Sequence, residues 1–330
     1  MAITLAQAKV GMSDKVVQQV IDEFRRSSLL LDALTFDDAV SPGTGGSTLT
    51  YGYTRTLTPG QAQFRAINSE YTPEEAAREK IAVDLKIFGG SFQIDRVLAE
   101  TAGAVDEIQY QMNEKIKAAS NLFHYTAING DTGVDANAFD GLDKALLNSD
   151  TEIGAGAYID LSDSTAMDSN YKAFLDALDA FLSELDGVPS MLMGNSKLIT
   201  KIKAVARRAG YLTQAEDAFG RGVTGYDNIP LVDLGMFVNS SGAGVPTAPV
   251  VDTRQPNGTV IVTGLSDLYA VRLGLDGFHG VTVTGNKIIT ANPPILSGPG
   301  VVKTGDVEMV AAVALKKTRA AGVLRNIKVV

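Results

Sequence analysis

From Ser13 to Leu34 apolar residues fall at helical intervals: Val16, Val17, Val20, Ile21 and Phe24 share a face, and Ser13 can cap the first turn. The spacing predicts an amphipathic helix ending in the apolar run Leu29-Leu30-Leu31. The breaker stretch Ser41-Pro42-Gly43-Thr44-Gly45-Gly46 separates it from the next patterned run. An arm of this kind has no core of its own, so its apolar face docks on its own domain or beyond it. The period then changes to two. Leu49, Tyr51, Tyr53 and Leu57 alternate with Thr48, Thr50, Thr54 and Thr56, which predicts a strand. A type II turn is expected at Pro59-Gly60, with a return strand carrying Ala62, Phe64 and Ala66. At about 3.3 Å per residue the hairpin from Ser47 to Tyr71 reaches roughly 40 Å. Two strands alone are marginal in water, so the hairpin needs a surface to lie on, and that surface can belong to another subunit. A third alternating run comes next, with Ile81, Val83, Leu85 and Ile87 facing one way and Ala82, Asp84 and Lys86 the other.

After Thr101, Val105, Ile108, Met112, Ile116, Ala119, Phe123 and Ala127 recur in steps of three or four, predicting a rod helix of about 24 residues and 36 Å. Asn129-Gly130-Asp131 is expected to end it in a left-handed turn. The middle third alternates: a helix over 170–185, a strand over 190–193 and a helix over 196–209. Beyond Gly210 the chain reads as loop-rich, then as strands at 230–232, 260–263, 268–273, 281–289, 307–315 and 323–330. No internal repeat is visible.

Composition narrows the chemistry. The 330 residues suffice for one large domain or two ordinary ones. With no cysteine there is no disulfide, thiolate nucleophile or Cys-based zinc site. Met1 to Gly11 lacks the pattern of a secretory signal and no window approaches the roughly 18 apolar residues of a membrane span, so a soluble cytoplasmic product is expected. A net charge of −9 and a pI near 4.8 argue against nucleic acid as a tightly held ligand. They are compatible with a wall that weakly repels an enclosed polyanion.

Gly220, Gly222 and Gly225 match G-x-G-x-x-G, but no strand leads in and Pro230 disfavours a helix after it, so a loop is expected. His124 and His279 have no partner at ligand spacing and are read as packing or surface residues. Asp131, Asp135 and Asp140 lack the glycine and the final glutamate of a calcium loop and are read as an ordered turn. Asn239-Ser240-Ser241 and Asn257-Gly258-Thr259 are sequons without an export signal. No cofactor, metal or catalytic residue is expected.

The order of these elements resembles the tailed-bacteriophage major capsid proteins of the Hong Kong 97-type fold, over nearly the whole chain. The resemblance is carried by Val20-Ile21-Asp22-Glu23-Phe24 with Ser27-Ser28-Leu29-Leu30, by Phe64-Arg65-Ala66-Ile67-Asn68, and by Gly89-Gly90-Ser91-Phe92-Gln93-Ile94-Asp95-Arg96. Ile128-Asn129-Gly130-Asp131, Phe139-Asp140-Gly141-Leu142 and Tyr226-Asp227-Asn228-Ile229-Pro230-Leu231-Val232 continue it. It implies an α+β chain: an N-terminal arm over 1–45, an extended β-hairpin loop over 46–95, a peripheral domain with a spine helix over 96–154 and 301–330, and an α/β axial domain over 155–300. It implies a structural protein, not an enzyme, that self-assembles into hexamers and pentamers of an icosahedral head. The head would enclose double-stranded DNA without sequence-specific binding, and would be built in the host bacterial cytoplasm without contact with a membrane. Portal and decoration proteins would be partners. With the arm's helix beginning near Ser13, a separate scaffold or none is expected. Some members weld their shells through a hairpin lysine, but Leu57 to Phe64 contains none, so no such crosslink is expected. Expected subunit contacts are Phe24, Leu30, Tyr51, Tyr53, Phe64, Tyr71, Gly222 and Tyr226, with Arg55, Arg65 and Arg96 as ion-pair donors between subunits. An encapsulin-like nanocompartment shell and, more remotely, a nucleotide-dependent α/β enzyme using the glycine loop are the alternatives.

Overall fold

A computed structural model describes residues 29–40, 49–97, 107–154, 157–210, 213–216, 222–238, 247–252, 262–283 and 288–330. Along the chain come α1 (Leu29–Ala33), β1 (Phe36–Val40), β2 (Thr50–Thr58), β3 (Ala77–Asp84), β4 (Lys86–Asp95), α2 (Glu107–Asn129) and α3 (Leu142–Leu146). The middle carries β5 (Glu152–Ile153), β6 (Ile159–Asp160), α4 (Ser164–Ser183), β7 (Met191–Gly194), α5 (Ser196–Ala209), β8 (Thr213–Glu216), β9 (Gly222–Tyr226) and β10 (Ile229–Asp233). The rest is strand: β11 (Met236–Val238), β12 (Thr247–Pro249), β13 (Leu265–Val271), β14 (Phe278–Val283), β15 (Ile289–Asn292), β16 (Val302–Leu315) and β17 (Ala321–Lys328). Most of the expected arm, including Phe24, and residues 260 and 261 of an expected strand lie outside the described residues.

The helices end where the local chemistry ends them. α2 stops at Asn129 as the pattern predicts, but Gly130 is needed for space and not for a left-handed turn. A Cβ there would fall 2.2 Å from the Phe139 carbonyl oxygen and 2.5 Å from that of Thr126. α4 starts at Ser164, before the expected Asn170, because the Asp163 side chain accepts from the Ala166 N–H at 2.8 Å and caps the helix. α5 is capped likewise by Asn195, which accepts from Leu198 N at 2.7 Å, and ends on left-handed Gly210 at φ 76°.

β16 is the spine of the first sheet. β4 runs along one edge of it from Val302↔Asp95 to Ala311↔Lys86. The other edge is shared by β15 and then β14, with β1 parallel to β14 beyond. The second sheet has the order β5-β17-β13-β7-β10-β9-β8, and its β7 and β10 are parallel. Alternate residues of this sheet serve two cores. Met191, Met193, Tyr269, Val271 and Val323 face a core shared with α1, α2, α3 and the first sheet. Leu192, Leu268, Ala270, Leu324 and Ile327 face a core covered by α4 and α5. In the first core Phe123 meets Phe36, Phe88 and Phe139 at ring-centroid distances of 6.0, 6.2 and 5.7 Å.

The hairpin differs from its expected form. β2 pairs with β3, from Thr50↔Asp84 to Thr58↔Ala77, so the return strand is 77–84 and not the segment around Phe64. The chain between turns not at Pro59-Gly60 but at Ala66–Ser69, where Asn68 takes φ 67° and Ser69 N bonds Ala66 O at 3.2 Å. The third alternating run also breaks. Ile81, Val83 and Leu85 turn inward, but Ile87 is exposed and Phe88, Phe92 and Ile94 take the inner face of β4. The phase slips by one residue at Leu85, which lies between the two strands and donates its N–H to Leu49 O at 2.7 Å.

Candidate assembly surface

The hairpin is held at its root and bare beyond it. Tyr51 is buried and its hydroxyl donates to Asp37 Oδ2 at 2.9 Å; its ring packs edge-on against His279 at 5.9 Å. Tyr53 donates to the Leu315 carbonyl at 2.8 Å. Arg55 donates to the Leu315 and Lys316 carbonyls at 2.8 and 3.0 Å. Period-two alternation puts all three on the face of β2 that meets the end of β16. They are therefore anchors within the chain. Leu30 is fully buried in the first core.

From Thr56 to Lys80 every residue is exposed. Phe64 is 106% exposed and Ile67 is 92%, with Leu57 and Tyr71 also in solvent. The loop nonetheless holds its shape. Arg65 lies 5.5 Å from the Tyr71 ring and donates to Ser69 O at 3.1 Å, and Gln63 Nε2 donates to Glu74 Oε1 at 2.9 Å. Several of its polar groups are used internally while Phe64 and Ile67 stand almost wholly in solvent, the signature of a contact surface. Burying one such side chain is worth about 1.5–3 kcal/mol.

A second apolar surface escapes the sequence pattern. Arg96 N bonds Val301 O at 2.9 Å, which brings exposed Val97 beside exposed Val301 and Val302, with exposed Ile295 on the connection into β16. Two valines directly after Gly298-Pro299-Gly300 are the signal that could have found it. The Arg96 side chain is exposed at the edge of this patch. Tyr226 donates to Asp179 Oδ1 at 2.6 Å on α4. Gly222 and Gly225 lie in β9, which pairs antiparallel with β8 and β10, so these two glycines are in a strand and not the expected loop; Gly220 lies outside the described residues.

The polar clusters are structural. Asp131 and Asp135 each accept a backbone N–H two residues on, and Lys144 bridges Asp131 and Asp140 at 2.7 and 2.8 Å, an ordered turn. Burial works against the Asp140 charge, but hydrogen bonds from Lys144 and Thr132 outweigh it and hold its carboxyl below the ordinary carboxylate range. His124 and His279 are fully buried. His124 Nε2 lies 2.7 Å from the Leu234 carbonyl, and burial pushes both imidazoles down from 6.5. Nothing in the residue pattern signals the most heavily charged buried group. A bulge between β13 and β17 puts Asn326 at φ 61°, inserts Asp267 against Asn326 N at 3.0 Å and re-aims Arg325 inward. Arg325 there pairs with Glu152 at 2.6 Å, Asp267 at 3.1 Å and Asp143, which also accepts from Tyr269 at 2.7 Å. No group of His, Asp or Glu among the described residues is arranged to hold a metal ion, and no helix among them is long and apolar enough to cross a membrane.

The fold of the whole chain recurs in solved structures. An encapsulin of Synechococcus elongatus superposes over 100% of this chain and 97% of its own, with a TM-score of 0.65 at 14% identity. The capsid of Myoviridae phage XM1 matches over 98% and 99%, at 0.57 and 11%. That of Microbacterium phage Oxtober96 matches over 99% and 100%, at 0.58 and 11%. The chain has the Hong Kong 97-type fold. No protein-family model matches the sequence, and no curated protein matches it. At such identities the Hong Kong 97-type likeness lies in the backbone path.

Proposed function

We propose that this chain is the major capsid protein of a tailed phage, a subunit that tiles as hexamers and pentamers into an icosahedral head around double-stranded DNA. The observation that carries the reading is the contrast between two cores closed within the subunit and a hairpin whose Phe64 and Ile67 are bare. Residues 46–95 act as the extended loop, 1–45 as the arm, 96–154 with 301–330 as the peripheral domain, and 155–300 as the axial domain. Phe64, Tyr71, Arg65 and Arg96 bury against neighbours. A contact of about 1,600 Å² is already specific, and closure of the lattice multiplies modest pair affinities into a durable shell. The subunit works by position and not by catalysis. Portal, decoration and scaffold proteins are its further partners, and assembly takes place in the host cytoplasm.

A second reading, a nanocompartment shell around protein cargo, is favoured by the higher TM-score to the encapsulin. Negative-stain electron microscopy with sedimentation of the chain expressed alone tests both. Rings, tubes or closed shells are expected. A subunit that stays monomeric alone and with a co-expressed scaffold overturns the shell reading, and particles that co-purify with a cargo enzyme and no DNA select the second.

A further inference from the structure

Charge is unevenly spread along this acidic chain. From Gly187 to Ala215 there is no Asp or Glu, but Lys197, Lys201, Lys203, Arg207 and Arg208 all lie there, on α5. The whole chain carries −9, so removing these five cations leaves −14 on the rest. α5 turns Leu198, Ile199, Ile202, Val205 and Ala206 inward, and at about 1.5 Å per residue its 14 residues run for roughly 21 Å. Its outward side carries exposed Thr200, with Ala204 partly buried against the second core, and the basic side chains flank them. Lys201 donates to the Ser162 carbonyl and Arg208 pairs with Asp168 at 2.5 Å. Lys197, Lys203 and Arg207 take no part in the ion pairs found among the described residues. Asp233 and Asp252 line the cavity at the first turn together with Lys197.

Helix stability accounts for part of this. Cations in the last turn, such as Arg207 and Arg208, complement the helix dipole. Lys197 sits in the first turn, where the dipole favours an anion, so the dipole gives no reason for it. The outward side does not suit a protein partner either. The large exposed apolar side chains of the described residues lie elsewhere, none of them on α5, and protein interfaces are centred on such anchors. Phosphate contacts need only charge and hydrogen-bond donors.

We propose that the outward face of α5 contacts the phosphate backbone of nucleic acid without reading its sequence. This rests on the reading of the chain as the wall of a DNA-filled shell: most of the subunit repels the packed polymer, and one stripe per subunit holds it in place. Over the roughly 15 Å from Lys197 to Arg207 a duplex presents about nine phosphate charges. Three cations engaging three of them give a log–log salt slope of about −2.7.

The test titrates unassembled full-length subunit against two labelled duplexes of unrelated sequence, each about 30 base pairs, from about 20 to 200 mM salt. The triple variant Lys197→Glu/Lys203→Glu/Arg207→Glu is run alongside, with thermal melting and negative-stain microscopy on every sample. The expected result is equal binding of both duplexes with a slope near −2.7, and affinity at least about tenfold weaker in the variant at unchanged melting temperature and unchanged particle formation. Absence of binding, or equal binding by the variant, overturns the proposal. So does a folded variant that no longer assembles, since the stripe would then meet another copy of the chain. Wild-type subunits that bind DNA but form no particles would retain the stripe and remove the shell.

Discussion

Arg325 shows how a single side chain can be decisive without being visible in the pattern. Alternation along β17 predicts an ordinary strand residue, and only the bulge opposite Asp267 turns the guanidinium into a space walled by Glu152, Asp267 and Tyr269. Burial opposes its charge, but Tyr269, Asp143 and Asp267 outweigh that and push its pKa up. Arg325→Met therefore leaves buried carboxylates without a partner and is expected to lower unfolding stability by about 3–5 kcal/mol in urea titrations. A loss under about 1 kcal/mol would mean the carboxylates find other partners. The two histidines make a separate prediction. Their folded pKa lies below 6.5, so between that depressed value and 6.5 the unfolded chain binds more protons, and stability falls as pH drops through this window. Each contributes about 1.4 kcal/mol for every pKa unit of depression. Urea midpoints measured from pH 7 to about 5 are expected to fall, and less steeply in His124→Gln/His279→Gln. The held-down carboxylates Asp140 and Asp160 act in a different window, losing their contribution only as pH falls below the ordinary carboxylate range.

At the level of elements, legibility tracks the strength of the local signal. α5 is predicted to the residue because its apolar spacing, Asn195 cap and Gly210 stop agree. α2 ends where expected, and β7, β10, β16 and β17 are found with ends displaced by a few residues. The return strand of the hairpin is misplaced because Phe64 and its neighbours alternate like a strand yet pair with nothing. Alternation reports which faces differ, and cannot report that a face has no partner in its own chain. The one-residue slip at Leu85 is invisible for the same reason. In the hairpin loop, Phe64→Ser/Ile67→Ser removes apolar surface that the subunit never buries. Its urea midpoint is expected to match the wild type within about 0.5 kcal/mol, while sedimentation shows particle formation reduced or lost. Normal particles from this variant would exclude the loop tip from the contact.

In the proposed shell the whole molecule carries its charge of −9 into every subunit contact, so like-charged copies must approach one another. Raising ionic strength from about 0.01 to 0.15 M shortens the screening length from roughly 30 to 8 Å and is expected to lower the concentration at which particles form, measured by sedimentation. The reverse trend would mean that ion pairs between subunits outweigh the general repulsion. The DNA contact proposed for α5 must weaken under the same change, so the two effects separate in one salt series. β16 and β17, the strands on which both sheets are built, are translated after every strand they join. At about 5–20 residues per second a ribosome needs roughly 15–60 s to reach them. Until then β4, β13, β14 and β15 wait with open edges, and neither core can close. On the proposed shell reading, a nascent chain is thus unable to offer a finished contact face to copies already released, and the timing of synthesis itself would keep half-made subunits out of a growing particle.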